Sequence, residues 1–363
     1  MANLPVRTTR GMALLGPIML LIGFSITGAV VVGKILLSQQ TISRSLKEQQ
    51  QASADAVNKL TVRVAQLQHT NDWQAQLSLT EREDVTSYSK NIVREATTES
   101  FTLRVRGASE DGAVQRHIEA SYIRFPRLIN LPPAPLMVQG ELSPSTSLML
   151  HSITADTLTP QWLSYVSDSH LDLSGNDKIT CLEPRFNVAS CVDNAVTSSA
   201  VKGPDIVDNA AGFPPDIFAY LFGVTSSRYE KVRQSAHFLR TNCDDTTGLV
   251  GMIWIEGNCD LATSAMLGSE TSPVIVVVHN GELLLRTHSK IFGLVVIFRE
   301  NSALDYRVTI PISALVKGAI ISNHAVDADS TINILYSRAL LLTLQRHPFL
   351  QQMELIPGTW RSF

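Results

Sequence analysis

Residues Gly11 to Gly33 run for 23 positions without a charge, as GMALLGPIMLLIGFSITGAVVVG. A bilayer core about 30 Å thick is crossed by about 20 helical residues, so this run is long enough to span one. Arg7 and Arg10 precede it, with no acid in the first ten residues, which biases the N-terminus toward the cytoplasmic side. Everything after Lys34 is then expected beyond the inner membrane. A cleaved signal peptide is the competing reading. Its apolar core usually covers about 7–15 residues and ends in a small-x-small site. The far end here, AVVVGK, offers no convincing site of that kind, so the segment is expected to stay attached.

The charge balance is 30 basic against 33 acidic residues, so no basic field for nucleic acid exists. Apolar residues make up 44% of the chain, enough to build a core. Cys181, Cys191, Cys243 and Cys259 all fall on the exported side. An even count in an oxidising compartment favours disulfides. Sequence order points to Cys181–Cys191 and Cys243–Cys259, one of the three connectivities that four cysteines allow. Neither spacing resembles the short Cys-x-x-Cys pairs of zinc sites, so no structural metal is expected.

The helical pattern continues past the membrane. Ile42, Leu46, Ala54, Val57, Leu60, Val64 and Leu67 recur at intervals of 4, 8, 3, 3, 4 and 3, a narrow apolar stripe at helical period. No proline occurs from residue 18 to 125 and no glycine from 34 to 106. The spacing predicts a single rod from about residue 12 to 69, about 87 Å long at 1.5 Å per residue. A membrane anchor followed by a separate coiled-coil stalk is the other arrangement the pattern allows.

Thr70-Asn71-Asp72 is expected to break the helix, with FTLRVRG (101–107) a strand beyond it. Leu131-Pro132-Pro133-Ala134-Pro135 marks a boundary, and residues 140–245 are polar and turn-rich. In the last third, GLVGMIWIEG, PVIVVV, GELLLR, IFGLVVIFR, YRVTIPI, GAIIS and STINILY read as strands separated by turn residues. Asn280-Gly281 is a tight-turn signal, because both central residues of such a turn take positive φ. Gly293 inside a strand implies a bend or a close backbone approach. The runs imply a meander or a short solenoid-like stack, without a clean repeat period. A helix over Ser337–Arg346 follows. The fold class is α+β, with a long N-terminal helix and a mostly β head. The expected divisions are 1–11, 12–33 (transmembrane), 34–70 (exported stalk), 71–245 (variable α/β head) and 246–363 (β-rich).

Two regions resemble the large minor pilins of the type IV pilus assembly family. Arg10-Gly11 followed by Met12-Ala13-Leu14-Leu15 looks like a prepilin leader junction. The resemblance implies Gly11 as the last leader residue, Met12 as the first mature one, and a prepilin peptidase as processing partner. Residues 248–299 resemble the family's succession of W-x-E-G, proline-initiated valine-rich and i-x-G-l-v elements. Ser330–Tyr336 with Ala339-Leu340 resembles its i-x-Y element. The ending Pro357-Gly358-Thr359-Trp360-Arg361-Ser362-Phe363 is close to its PGSWRDF-like terminus, and Pro132–Leu136 with Gly140 fits a segment placed before the β region. One departure stands out. Major pilins carry glutamate at the fifth mature position, where Gly16 stands here, followed by Pro17. An unpaired carboxylate in hydrocarbon is costly, so its absence fits a tip, priming or low-copy subunit better than a shaft subunit.

The resemblance implies a structural role in a pilus or secretion pseudopilus, with other pilins and an inner-membrane assembly platform as partners, no cofactor and no enzymatic activity. An anchored receptor or adhesin with a β head shares the gross features, and an anchored periplasmic hydrolase is a third class. No His-Glu-x-x-His, G-x-S-x-G or phosphate-binding lysine loop occurs. His237 lies six residues before Cys243, but an exported cysteine is more readily bridged than nucleophilic. Asp168, Asp172, Asn176 and Asp177 cluster in SDSHLDLSGND as oxygen ligands for calcium, without the alternating spacing of a calcium loop, so a solvated turn is expected. Trp254 and Trp360 are expected in the core.

Overall fold

A computed structural model of the chain describes residues 12–68, 84–93, 96–152, 163–182, 195–300 and 304–363. Helix α1 runs unbroken from Met12 to Gln68, 57 residues, so the single rod is the arrangement found. The absence of internal glycine after Gly33 lets the helix persist. Pro17 lies in its second turn, where it removes one helix hydrogen bond. The break expected at residues 70–72 lies outside the described residues.

Strands β1 (Val85–Val93), β2 (Ala96–Ala108) and β3 (Gln115–Pro126) follow. Then come β4 (Leu136–Val138), β5 (Ser147–Ser152), β6 (Tyr165–Ser167), β7 (Lys178–Leu182), β8 (Ala195–Thr197) and β9 (Ile206–Val207). Short helices α2 (Ile217–Phe222) and α3 (Glu230–Gln234) precede β10 (Phe238–Arg240). Beyond them lie β11 (Gly251–Glu256), β12 (Cys259–Leu261), β13 (Met266–Leu267), β14 (Val274–His279) and β15 (Leu283–Leu285). The chain ends with β16 (Lys290–Phe298), β17 (Val308–Thr309), β18 (Leu315–Ser322), β19 (Thr331–Tyr336), helix α4 (Arg338–Arg346), β20 (Gln351–Leu355) and β21 (Arg361–Ser362).

The chain forms two compact units. One comprises Met1–Arg63, Leu103–Ala120 and Pro357–Phe363. Here β21 pairs antiparallel with β3, Arg361 opposite Glu119, and His117 and Phe363 exchange backbone hydrogen bonds of 2.9 and 3.0 Å. Arg104 lies over the Phe363 ring at 5.1 Å. Trp360 is 44% exposed, so it is not the core aromatic expected of it, because β21 lies at the surface.

The other unit, Val64–Thr102 with Ser121–Ile356, contains a parallel β-solenoid. One ladder stacks β10, β11, β14, β16, β18, β4, β6 and β9 in that spatial order, and a second stacks β12, β15, β17, β19, β5 and β7. Short β13 pairs with the start of β16 and supplies a third side. Successive coils differ in length, since the register passes from Gly251 to Val274 to Gly293 to Gly318. That irregularity is why no period is visible in the sequence. The solenoid is parallel, so the meander alternative does not hold.

Its spatial order departs from chain order. Strands β4 to β9 extend away from β4, the chain then starts again at β10, and β18 finally pairs with β4, Ile320 beside Leu136. The boundary expected near residue 245 therefore falls inside one sheet. The Pro-rich passage lies at this junction: Ile320 N–H donates to Pro135 O at 2.8 Å and Tyr336 Oη donates to Pro132 O at 2.8 Å.

Side chains alternate between two apolar layers. Ile253, Val276, Val295 and Ile320 point into the solenoid interior. Their neighbours Met252, Trp254, Ile275, Val277, Leu294 and Val296 face outward, beneath Phe218, Phe222, Leu341 and Leu344. Strands buried on both sides need continuous apolar runs, which is what PVIVVV and GLVVIF supply. Asp216 caps α2 by accepting from Ala219 N–H, and Ser337 caps α4 by accepting from Leu340 N–H.

Gly293 and Gly318 lie side by side where β16 and β18 turn a corner, with φ of 142° and 141°. A Cβ on Gly318 would sit 1.8 Å from the Gly293 carbonyl oxygen. Gly293 is thus both a bend and a close approach. Asn280-Gly281 is not a hairpin turn: only Asn280 has positive φ, 53°, and the flanking β14 and β15 belong to different ladders.

Candidate functional site

The candidate site is helix α1, read from its apolar end upward. Among the described side chains, every large apolar one from Leu15 to Leu37 is exposed, and Ile18 at 48% is the most covered. The helix is long and apolar enough to cross a membrane, and its most apolar stretch has a mean hydropathy of 2.2 with none of it buried. Thr27 Oγ1 donates to the Gly23 carbonyl at 2.9 Å, which satisfies a hydroxyl that lipid could not. Gly16 has no heavy atom within 4 Å of the position its Cβ would take. Met12 is the first residue of α1, and Gly11 lies outside the described residues.

Further along, the helix changes character. Ala52, Ala56, Leu60 and Leu67 are buried, whereas Ile42, Leu46 and Val57 are 56%, 54% and 42% exposed. The buried stripe therefore agrees with the sequence pattern at Leu60 and Leu67 and differs from it before them. The reason is backbone proximity. A Cβ on Gly107 would lie 2.1 Å from Ala52 O and 2.7 Å from Ala56 Cβ, so this contact is built from the smallest residues. Small residues carry little hydrophobicity, and a search for large apolar positions passes over them.

Polar groups flank the contact. Asp55 Oδ2 accepts from Ala108 N–H at 3.0 Å and pairs with Lys59 at 2.8 Å, while Lys59 Nζ also donates to Arg106 O at 3.2 Å. The Lys59 hydrogen bond, then that of Ala108 N–H, holds the Asp55 carboxyl below the usual carboxylate range. Arg44 pairs with Glu48 at 2.7 Å and reaches Asp111 at 3.6 Å. Residues on α1 are thereby fixed to residues 103–120 by backbone contact and by charge.

Cys243 and Cys259 form a disulfide with Cα atoms 4.7 Å apart. Cys181 is also disulfide-bonded, and Cys191 lies outside the described residues. His237 Nδ1 accepts from Met252 N–H at 3.1 Å, so the imidazole is turned to the backbone and Cys243 is held in its bridge.

The four oxygen ligands of 168–177 do not converge. Asp168 Oδ1 accepts from Gly140 N–H at 2.7 Å, and Asp172 Oδ1 accepts from Ser174 N–H at 2.8 Å. That Ser174 N–H bond is the main reason the Asp172 carboxyl titrates below its usual range. Asn176 Nδ2 donates to Ser145 O, and Asp177 O accepts from Leu148 N–H at 2.8 Å. Among the described residues, no group of three or more His, Cys, Asp or Glu is placed to hold a metal ion.

The polar 140–245 stretch conceals a buried network that the sequence pattern does not reveal. Asp205, 1% exposed, accepts from Thr180 Oγ1 at 2.5 Å and from Thr197 Oγ1 at 2.7 Å. Lys178, also 1% exposed, donates to the carbonyls of Pro144, Ser174 and Asn176. Polar residues are ordinarily read as surface; here they pair with one another and hold turns together.

Neither a protein-family model nor a curated protein matches the chain. Among solved structures the chain is similar to the competence-associated pilin ComZ from Thermus thermophilus, with 11% identity over 87% of this chain and 97% of that one, at a TM-score of 0.22. A likeness at that score carries no argument.

Proposed function

We propose that the chain is a pilin-like structural subunit, a minor pilin or secretion pseudopilin of a type IV pilus-like fibre. The observation that carries the reading is α1: one unbroken helix, exposed and apolar on every side over its first half and docked through Ala52 and Ala56 over its second. An anchor alone needs about 20 residues and no rigid continuation. A helix that must leave the bilayer and enter a bundle needs both parts in one rod, with apolar surface all round to exchange lipid for protein contact.

In this reading a prepilin peptidase cuts between Gly11 and Met12 on the cytoplasmic side. The subunit waits in the inner membrane with its head in the periplasm, and an assembly platform extracts it into a fibre of other pilins. Gly16, in place of an acid, gives the helix no charge with which to pair with a neighbour's amino terminus. That favours a low-copy role in priming, at the tip or in adhesion.

Val30→Arg tests the reading. Its insertion cost is about 2.5–3.5 kcal/mol at the bilayer centre and less toward the interface. Membrane levels of the variant are expected to stay near wild type. In a packed helical bundle the same charge has neither water nor partner, so the variant's content in sheared fibres, or fibre number, should fall sharply. Wild-type fibre number with wild-type incorporation of the variant would remove the basis for an assembly role and leave an anchored receptor.

A further inference from the structure

The second compact unit holds a cavity of about 380 Å³, within the range of about 300–1,000 Å³ typical of small-molecule sites. Its apolar lining comes from Phe222, Val224, Val232, Met252 and Met353. Arg127 and Lys231 line it as well, with Glu354 as its one acid. Arg127 Nη1 donates to the Ser235 carbonyl at the end of α3, but its buried Nε has no hydrogen-bond partner among the described residues. No described carboxylate, Glu354 included, forms an ion pair with Arg127 or Lys231. Burial pushes the Arg127 guanidinium below its ordinary range, and no ion pair among the described residues offsets it.

A clamp on the end of α3 accounts for Nη1 and leaves Nε and the cavity unexplained. A half-buried guanidinium without a counter-charge is costly, and a carboxylate is its best geometric complement. A compact inorganic anion would satisfy the charge and leave the apolar wall bare. We infer that this cavity binds a small amphipathic carboxylate, an organic acid whose anionic head lies against Arg127 and Lys231 and whose apolar body lies on Phe222, Val232 and Met353. Gln68, the last residue of α1, also lines the cavity, but the test reads ligand binding and so does not depend on fibre formation.

The probe is 3-phenylpropionate, with neutral 3-phenylpropanamide as its control, titrated by calorimetry into the full chain in detergent. The acid should bind at least tenfold more tightly than the amide. Lys231→Gln, at an exposed position, should weaken the acid several-fold without moving the unfolding midpoint. Val232→Trp fills the apolar end and should abolish binding while Arg127 stays in place; it also reports any uptake of probe by micelles. Arg127→Gln should erase the preference for acid over amide, and the other two variants decide the matter if it fails to fold. Equal affinity for acid and amide, acid binding unchanged in both Lys231→Gln and Val232→Trp, or no binding of the acid by folded protein would each overturn the inference.

Discussion

Gly107 faces α1 so closely that an added Cβ would meet three atoms of Ala52 and Ala56 within 2.7 Å, two of them backbone. Neither side can yield without moving the helix, so Gly107→Ala is expected to cost about 1–3 kcal/mol by overpacking. Gly212→Ala, where nothing lies within 4 Å, should be close to neutral, and thermal unfolding of the two variants checks the contrast. Asp205 shows the opposite kind of dependence. Asp205→Ala strands the hydroxyls of Thr180 and Thr197 in a dry site, at about 1–3 kcal/mol for each unpaired group. Asp205→Asn, which keeps an acceptor, should recover part of that loss in the same measurement. Histidines add a pH dependence. Burial lowers His151 to about 4 and moves His279 and His324 down as well. These imidazoles fold neutral, and the unfolded chain binds protons that the folded one refuses between its ordinary histidine value and the depressed one. Stability is therefore full above about pH 6.5 and declines as pH falls toward the His151 value. Urea midpoints at neutral and mildly acidic pH measure it, and an unchanged or rising midpoint on acidification would count against the burial of these rings.

At the scale of elements, the sequence was most legible where one physical signal dominated. Helix α1 was visible because nothing interrupts it, and all seven apolar runs of the last third contain strands, because Val- and Ile-rich segments between turn residues have few other uses. The coil order was not legible. Parallel coils are joined by contacts distant in the chain, such as Ile320 beside Leu136, and β4 and β9 are only three and two residues long. Asn280-Gly281 misled for a related reason: a residue with positive φ also turns a solenoid corner, where no hairpin forms. The candidate site divided in the same way. Its apolar half could be read from the missing charges, while Ala52, Ala56 and Gly107 carry no signal beyond smallness. The disulfide joins the segment after β10 to the start of β12, with 16 residues of separation. Replacing both Cys243 and Cys259 by Ser should cost about 3 kcal/mol through the entropy returned to the unfolded chain. Denaturant unfolding of oxidised wild type and the double variant checks this, and equal midpoints would mean that the solenoid end holds without its bridge.

For the molecule as a whole, the two units divide the work. One couples the helix to residues 103–120 and 357–363; the other contains the solenoid and a cavity of its own. The helix is the part that commits the chain to a fate, since its first half must be covered by lipid or by other helices. Cleavage at the proposed Gly11–Met12 junction would separate a subunit meant to leave the membrane from an anchor meant to stay. The most direct measurement is the N-terminal residue of the mature chain, read by mass spectrometry from cells with and without the prepilin peptidase. A chain beginning at Met12 is expected when the peptidase is present and the uncut chain when it is absent. A chain that keeps residues 1–11 in both strains, or one cut beyond Gly33, would contradict it.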